Sequence, residues 1–400
     1  MEEKVLQGRP DILVDADRDR AGGGLRTEEM LVNMGPQHPS THGVLRLMLR
    51  IDGELVLECT PHIGYLHRCA EKIGENVTPV QFIPITDRLD YLAAMINNHG
   101  YSLAVEKLLG MEVPERGRYI RVIMSELNRI ASHLVSFGAY GLDMGAFTPF
   151  VYAFREREYI LDLFEQVCGA RLTYSYLSLG GATQDLPEGF PERLAQFLDY
   201  FEPKIAEYNQ LLSYNQIFVK RTAGVGVISA ADAIAWGLTG PCLRGSGVKW
   251  DLRKCVPYDI YDRFDFDIPV GLPGGVDGAP PEVVVGDSWN RYYVRMLEMQ
   301  QSARILRQCL QQLPSGDYRA KVPRVLKLPA REVYLEVEGA RGQLGYLVVG
   351  DGKPVPRRVK IRGPSFCNLS IASHICRNVL VADVAAIIGS IDVVMGEVDR

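Results

Sequence analysis

The densest polar cluster in the chain is Gly35-Pro36-Gln37-His38-Pro39-Ser40-Thr41-His42-Gly43, which places two imidazoles in one tight loop. The spacing suggests zinc at first sight. However, Pro39 disfavours helical backbone at His38, so the two rings need not share a face, and the loop has no acidic residue to act as a third ligand. A glycine- and proline-shaped loop with a histidine at its tip suits the presentation of a proton donor to a small carbonyl ligand. The plainer account is a turn whose histidines bond nearby backbone. A second group, Thr86-Asp87-Arg88-Leu89-Asp90-Tyr91, gathers two carboxylates, a guanidinium and a phenol at the start of an expected helix. Asp87 as a helix cap, Asp90 with Arg88 as surface charge, and Tyr91 as a core tyrosine are the bland accounts there. Asp143, in Gly141-Leu142-Asp143-Met144-Gly145, must find a donor or hold a raised pKa. His133 beside an apolar stripe reads as a satisfied core histidine.

The elements that would position these groups follow from composition and periodicity. The chain has 400 residues, 47% hydrophobic and 23% charged, enough to bury a substantial core. Forty-nine acidic against 44 basic residues give a net charge of -5, with no positive excess to drive nucleic-acid binding. The apolar run Val381 to Met395 is broken by Asp383 and Asp392, so no transmembrane segment is expected, and the charged start, Met1 to Arg20, does not read as a secretory signal. The eight cysteines (Cys59, Cys69, Cys168, Cys242, Cys255, Cys309, Cys367, Cys376) include no C-x-x-C, which argues for reduced thiols and against a zinc or iron-sulfur site within this chain. Alternation at Glu29 to Met34 and Val44 to Cys59, with the Asp52-Gly53 turn signal, reads as a small β unit. Helical stripes follow: Leu89, Leu92, Met95 and Ile96, then Ile120, Ile123, Leu127, Ile130 and Leu134, the latter after Pro114. The opposite face of that second helix, Arg121, Ser125, Asn128 and Ser132, is polar rather than charged and suits packing in an assembly. Further helices are expected at Thr148 to Val167, Phe190 to Gln210, Ala230 to Leu238 and Trp289 to Leu313. Phe266 to Gly286 reads as a surface connection, β character returns at Glu332 to Glu338, Gly345 to Val349 and Arg357 to Ile361, and an apolar helix lies near Val381 to Ile388.

Four strings resemble the 49-kDa subunit family of respiratory complex I, known in bacteria as the D subunit of the proton-pumping NADH-quinone oxidoreductase. They are Gly35 to Arg46, Pro61-His62-Ile63-Gly64-Tyr65-Leu66-His67-Arg68, Phe150 to Glu158, and Met395-Gly396-Glu397-Val398-Asp399-Arg400. The resemblance runs from about Glu28 to Arg400. It implies a mainly α chain with small β units at both ends (α+β), like the nickel-iron hydrogenase large subunit. The divisions would be an N-terminal extension (1–26), a β unit (27–60), a helical core (61–313), a connection (314–331) and a C-terminal α/β unit (332–400). Where hydrogenases carry cysteine pairs, this chain has Thr86 to Tyr91 and Asp392 to Glu397, without a thiolate for nickel.

The resemblance also implies quinone reduction, with ubiquinone or menaquinone as substrate, in a pocket shared with the iron-sulfur B subunit, whose terminal [4Fe-4S] cluster supplies electrons. Tyr91 and His42 are then the headgroup ligands and proton donors, and Asp143 pairs with His42. His38, Thr41, Val394 and Met395 would line the pocket, and Arg68 and His133 would lie near the neighbouring cluster. No metal is expected on this chain. The implied setting is a hetero-oligomer with the B, C and I subunits and the membrane H subunit, peripheral on the cytoplasmic face of the cell membrane, with no nucleic acid. The short joint from Gln312 to Arg331 resembles instead the equivalent H subunit of the photosynthetic-type NDH complex, which has a different electron donor. Gln37 and Thr41 lean towards the respiratory form, and the Gly271 to Asp287 insertion is unusual. A non-catalytic scaffold for iron-sulfur subunits is the remaining alternative.

Overall fold

A computed structural model of the chain describes residues 29–400; the expected extension over 1–26 lies outside the described residues. Strands β1 (Glu29–Met34), β2 (Arg46–Asp52) and β3 (Leu55–His62) form an antiparallel meander. In β2, Leu47, Leu49 and Ile51 point inward, as period-two alternation requires. Gly53, at φ 59°, and Glu54 form the connecting turn, one residue beyond the expected Asp52-Gly53 pair. The fourth strand of this sheet, Val379–Leu380, comes from the far end of the chain, so the first and last segments share one sheet and one hydrophobic cluster.

The centre is helical: α1 (Ala94–Leu109), α2 (Glu115–Asp143), α3 (Phe147–Cys168), α4 (Phe190–Tyr208) and α5 (Ser288–Gln312). The ends of α3, α4 and α5 lie close to those the periodicity predicts; α4 continues into a π turn at Asn209–Ser213, and the helix expected at Ala230 to Leu238 stops at Ala235. The stripe beginning at Leu89 becomes helical only from Ala94, because Asp90 turns the chain first and its Oδ1 accepts the Leu92 and Ala93 N–H groups, both at 3.2 Å. The polar face of α2 differs more from expectation. Its own chain buries it: Arg121 pairs with Glu106 (2.9 Å), Ser125 Oγ with His99 Nδ1 (3.0 Å), Asn128 Oδ1 accepts the Met95 N–H (3.0 Å), and Ser132 Oγ accepts from Arg341 (2.8 Å). Each of these buried polar groups finds a partner within the chain, as burial of polar side chains requires.

The irregular segment after Phe266 is the expected connection, pinned where Asn290 Oδ1 accepts the Leu272 N–H at 2.6 Å. Strands β4 (Glu332–Gly339), β5 (Gly342–Val349) and β6 (Arg358–Arg362) form an antiparallel sheet whose apolar face packs on α1. Helix α6 (Val381–Ile391) ends in a left-handed residue, Asp392 (φ 59°), and leads to a last short helix, Met395–Asp399. The result is an α+β fold, helical at the centre with small sheets built from both ends.

Candidate functional site

The histidine loop is a single 3-10 turn, Pro39–Thr41, held by its own side chains. His38 is extended, as Pro39 dictates, and its Nδ1 accepts the Ser40 N–H at 3.2 Å; Thr41 Oγ1 donates to the His38 carbonyl at 2.8 Å. His42 leaves the turn in left-handed backbone (φ 49°) and turns its ring away from His38, to Asp143. His42 Nε2 lies 2.7 Å from Asp143 Oδ2, a pair joining residues far apart in the sequence. Asp143 is the last residue of α2, and α6 approaches it at Gly389, where a Cβ would stand 2.7 Å from Asp143 Oδ2. Burial lowers the His42 pKa, but the Asp143 hydrogen bond and charge, with Asp392, outweigh it and the opposing Arg341, so the pKa is raised.

Tyr91 is half-buried in the turn before α1, and its hydroxyl makes no hydrogen bond to a described residue. Burial raises its pKa, Arg341 lowers it, and Asp90 and Asp392 add to the rise. The last segment of the chain links it to the histidine loop. A Cβ on Gly43 would lie 3.7 Å from Met395 Cγ, and one on Gly396 would lie 3.5 Å from Tyr91 Cδ1. Met395-Gly396 thus lies against both the histidine loop and the Tyr91 ring, and both titratable groups feel the charges of Asp392 and Arg341.

The other sequence-nominated residues sit in different settings. His38 is exposed, whereas Thr41 is fully buried with its hydroxyl used in the turn. Val394 and Met395 are both enclosed, at 3% and 1% exposure, with Met395 in the cluster under the first sheet. Arg68 is exposed and has no partner among the described residues; its loop is fixed by Asp399, whose carboxylate accepts the Gly64 and Leu66 N–H groups at 2.8 and 2.7 Å. His133 is enclosed, with Nε2 2.8 Å from Glu298 Oε2 and Nδ1 unpartnered. Burial first, then Arg129 and Arg295, lower its pKa despite Glu298.

The model for "Respiratory-chain NADH dehydrogenase, 49 Kd subunit" matches residues 143–327 and 322–400. The D subunit of the NADH-quinone oxidoreductase of Desulforamulus reducens is 52% identical over 375 residues, 94% of this chain and 99% of its own. The chain belongs to the 49-kDa subunit family of respiratory-chain NADH dehydrogenases. The Bacillus cereus D subunit is 50% identical over 376 residues, covering 94% of this chain and all of its own, and that of Chlorobium luteolum 52% over 399, covering 99% and 98%. As a 49-kDa family member it is one subunit of an oxidoreductase complex.

The structure gives Asp90, Asp392 and Asp87 settings that sequence reading did not assign them. Asp90, expected as surface charge with Arg88, is 2% exposed and paired with Arg341 (Nη1 to Oδ2, 2.8 Å), while Arg88 stays outside and bonds the Pro84 carbonyl. Asp392 meets the same guanidinium at 3.3 Å. Asp87 does not cap the following helix: it closes the preceding one, Pro79–Thr86, and accepts from Ser175 N and Oγ at 2.9 and 2.6 Å. The available signal was a charge interrupting apolar surroundings, as at Asp392 and in Ala340-Arg341-Gly342. Among the described residues no group of three or more His, Cys, Asp or Glu side chains is arranged to hold a metal, the cysteines are free thiols, and no helix is long and apolar enough to cross a membrane.

Proposed function

We propose that this chain builds, with the iron-sulfur B subunit, the quinone-reduction pocket of a proton-pumping NADH:quinone oxidoreductase. The observation that carries the reading is that one segment, Met395-Gly396, lies against both the loop of His42, bound to Asp143 at 2.7 Å, and the ring of Tyr91, whose hydroxyl is unengaged among the described residues. Quinone, the substrate, takes two electrons, delivered from the partner's terminal [4Fe-4S] cluster, and one proton on each ring oxygen. With Nε2 engaged by Asp143, His42 Nδ1 is the nitrogen left to donate, and the hydrogen bond and charge of Asp143 favour the protonated ring. Tyr91 supplies the second proton, and Asp143 holds the imidazole and helps to reload it. His38, Thr41, Val394 and Met395 shape the surrounding wall from the outer turn and the floor.

Arg68, an exposed cation without an internal partner, faces the cluster and raises its potential by stabilising the added electron. His133, enclosed beside Glu298, links that potential to pH. The assembly includes the B, C and I subunits and the membrane H subunit at the cytoplasmic face, and the hydrogenase large-subunit relationship belongs to the same reading. The short joint after Gln312 gives little support to the photosynthetic-type alternative, since the D subunits of three NADH-quinone oxidoreductases are matched over 98% or more of their own length.

Tyr91→Phe and His42→Ala should each lower quinone reductase activity by about 10²-fold, the usual scale of general-acid catalysis, while NADH still reduces the cofactor chain. Normal turnover in both variants ends the assignment. Photolabelling by a quinone analogue should mark this chain; label confined to other subunits favours the scaffold alternative.

A further inference from the structure

We propose that Arg341 is a positioning residue for this reduction: its guanidinium ties the turn that carries Tyr91 to the segment that floors the site, and sets a positive charge facing both donors. The inference rests on the quinone-reducing reading of the site.

Arg341 stands at the tip of the β4–β5 hairpin, a place where a long cationic side chain ordinarily reaches into water. Here the tip is driven inward and Arg341 is 1% exposed. Its backbone is fixed from three directions. Asn368 Nδ2 donates to the Arg341 carbonyl (3.0 Å), Thr239 Oγ1 accepts the Gln343 N–H (3.1 Å), and Gly240 runs so close that a Cβ there would lie 2.4 Å from Gly342 Cα. The guanidinium then reaches three separate elements. Nη1 donates to Asp90 Oδ2 and to Ser132 Oγ on α2, both at 2.8 Å; Nε donates to the Asp392 carbonyl at 3.1 Å; and Nη2 lies 3.3 Å from Asp392 Oδ2. A lysine at this position would restore the charge but not a planar fork able to hold all three.

The charges around the donors show what that cation does. Tyr91 faces Arg341, Asp90 and Asp392, and His42 faces Asp143, Asp392 and Arg341. Asp392 in turn faces Arg341, Arg295, His42 and His133, and Glu397 adds a further carboxyl beside Arg341. Arg341 therefore lies among acidic groups and lowers the pKa of both donors. Without it, Asp90 and Asp392 oppose the negative charge that forms on the quinone oxygens and on the departing phenolate, where a preorganised cation has its largest effect.

The test is the pH profile of quinone reductase in the assembled complex. Arg341→Met should lower kcat by about 10²-fold, the scale of losing one preorganised donor, and move the alkaline limb up by about one pH unit as His42 holds its proton longer. Arg341→Lys should return the limb towards its original position while kcat stays depressed. An assembled Arg341→Met complex with an unmoved limb, or a lysine variant that leaves the limb where methionine put it, overturns the proposal. Should Arg341→Met fail to assemble, Asp392→Asn reads the same field with the opposite sign: the limb should move to lower pH, and an unmoved limb again overturns it. Full turnover of Tyr91→Phe and His42→Ala would remove the underlying reading, whereas inactive donor variants beside an unmoved Arg341→Met limb would remove only the role of Arg341.

Discussion

Two histidines, one on the loop that meets the last residue of α2 and one within α2, each meet one carboxylate at nearly the same distance, His42 with Asp143 at 2.7 Å and His133 with Glu298 at 2.8 Å, yet their pKa values move in opposite directions. Burial lowers both and is the largest cause in each case. At His42 the charges of Asp143 and Asp392 prevail over Arg341. At His133 the partner carboxylate is shared. Glu298 also binds Arg244 at 2.6 Å, which holds it far below the usual carboxylate range, and Arg129 and Arg295 act directly on the ring. The network continues from Arg244 to Glu338 (2.8 Å) and from Arg253 to Asp251 (2.7 Å) and Glu126 (3.0 Å), all enclosed. A neighbouring carboxylate does not by itself make an imidazolium; the local balance of charge does. That balance raises the pKa of His42 and lowers that of His133, whose Nδ1 is left unpartnered.

The largest expected effect comes from breaking the enclosed side. Arg244→Met leaves Glu298 and Glu338 without their cation and should destabilise the subunit by about 3–5 kcal/mol, the usual result of removing one partner from a buried ion pair. Thermal unfolding and the amount of subunit recovered in the complex would measure it, and an unchanged melting temperature would contradict the shared-partner account. Next is the open side. Asp143→Asn removes the charge that raises the His42 pKa, so the imidazolium is lost at lower pH. The alkaline limb of quinone reductase should shift down and the rate fall by about tenfold, nearer the lower end of a proton donor's usual contribution; a limb that moves up would reverse the sign assigned to this pair. The smallest effect on turnover belongs to His133→Met. Glu298 keeps Arg244, the fold persists, and the neighbouring cluster's potential should lose its pH dependence while quinone reductase changes little. Retained pH dependence would detach His133 from that role.

The contrast also marks how much could be read from residues alone. Strand β1, helices α3 and α5 and the turn after β2 follow local patterns, period two or period 3.6 closed by turn residues, and such patterns survive without knowledge of the rest of the chain. The histidine loop and the isolated Asp143 were visible because their residue types are unusual for their surroundings. The polar stripe of α2 was not legible, since a line of Arg121, Ser125, Asn128 and Ser132 looks alike whether it faces water, another subunit or its own chain. What fills it arrives from elsewhere: Ser132 meets a residue 209 positions away, and Asp90 takes the same guanidinium across 251. Arg88 and Asp90, adjacent in kind and position, part company for that reason, one outside and one at 2% exposure.

The order of residues determined the types of elements, the supply of phenol, imidazole and carboxylate, and the lack of paired thiols for a soft metal. Tertiary structure alone decided which of these groups meet and which carry charge. Secondary structure is set by neighbours along the chain, whereas a protonation state is set by every charge within a few ångströms in space, and those charges come from segments hundreds of residues apart.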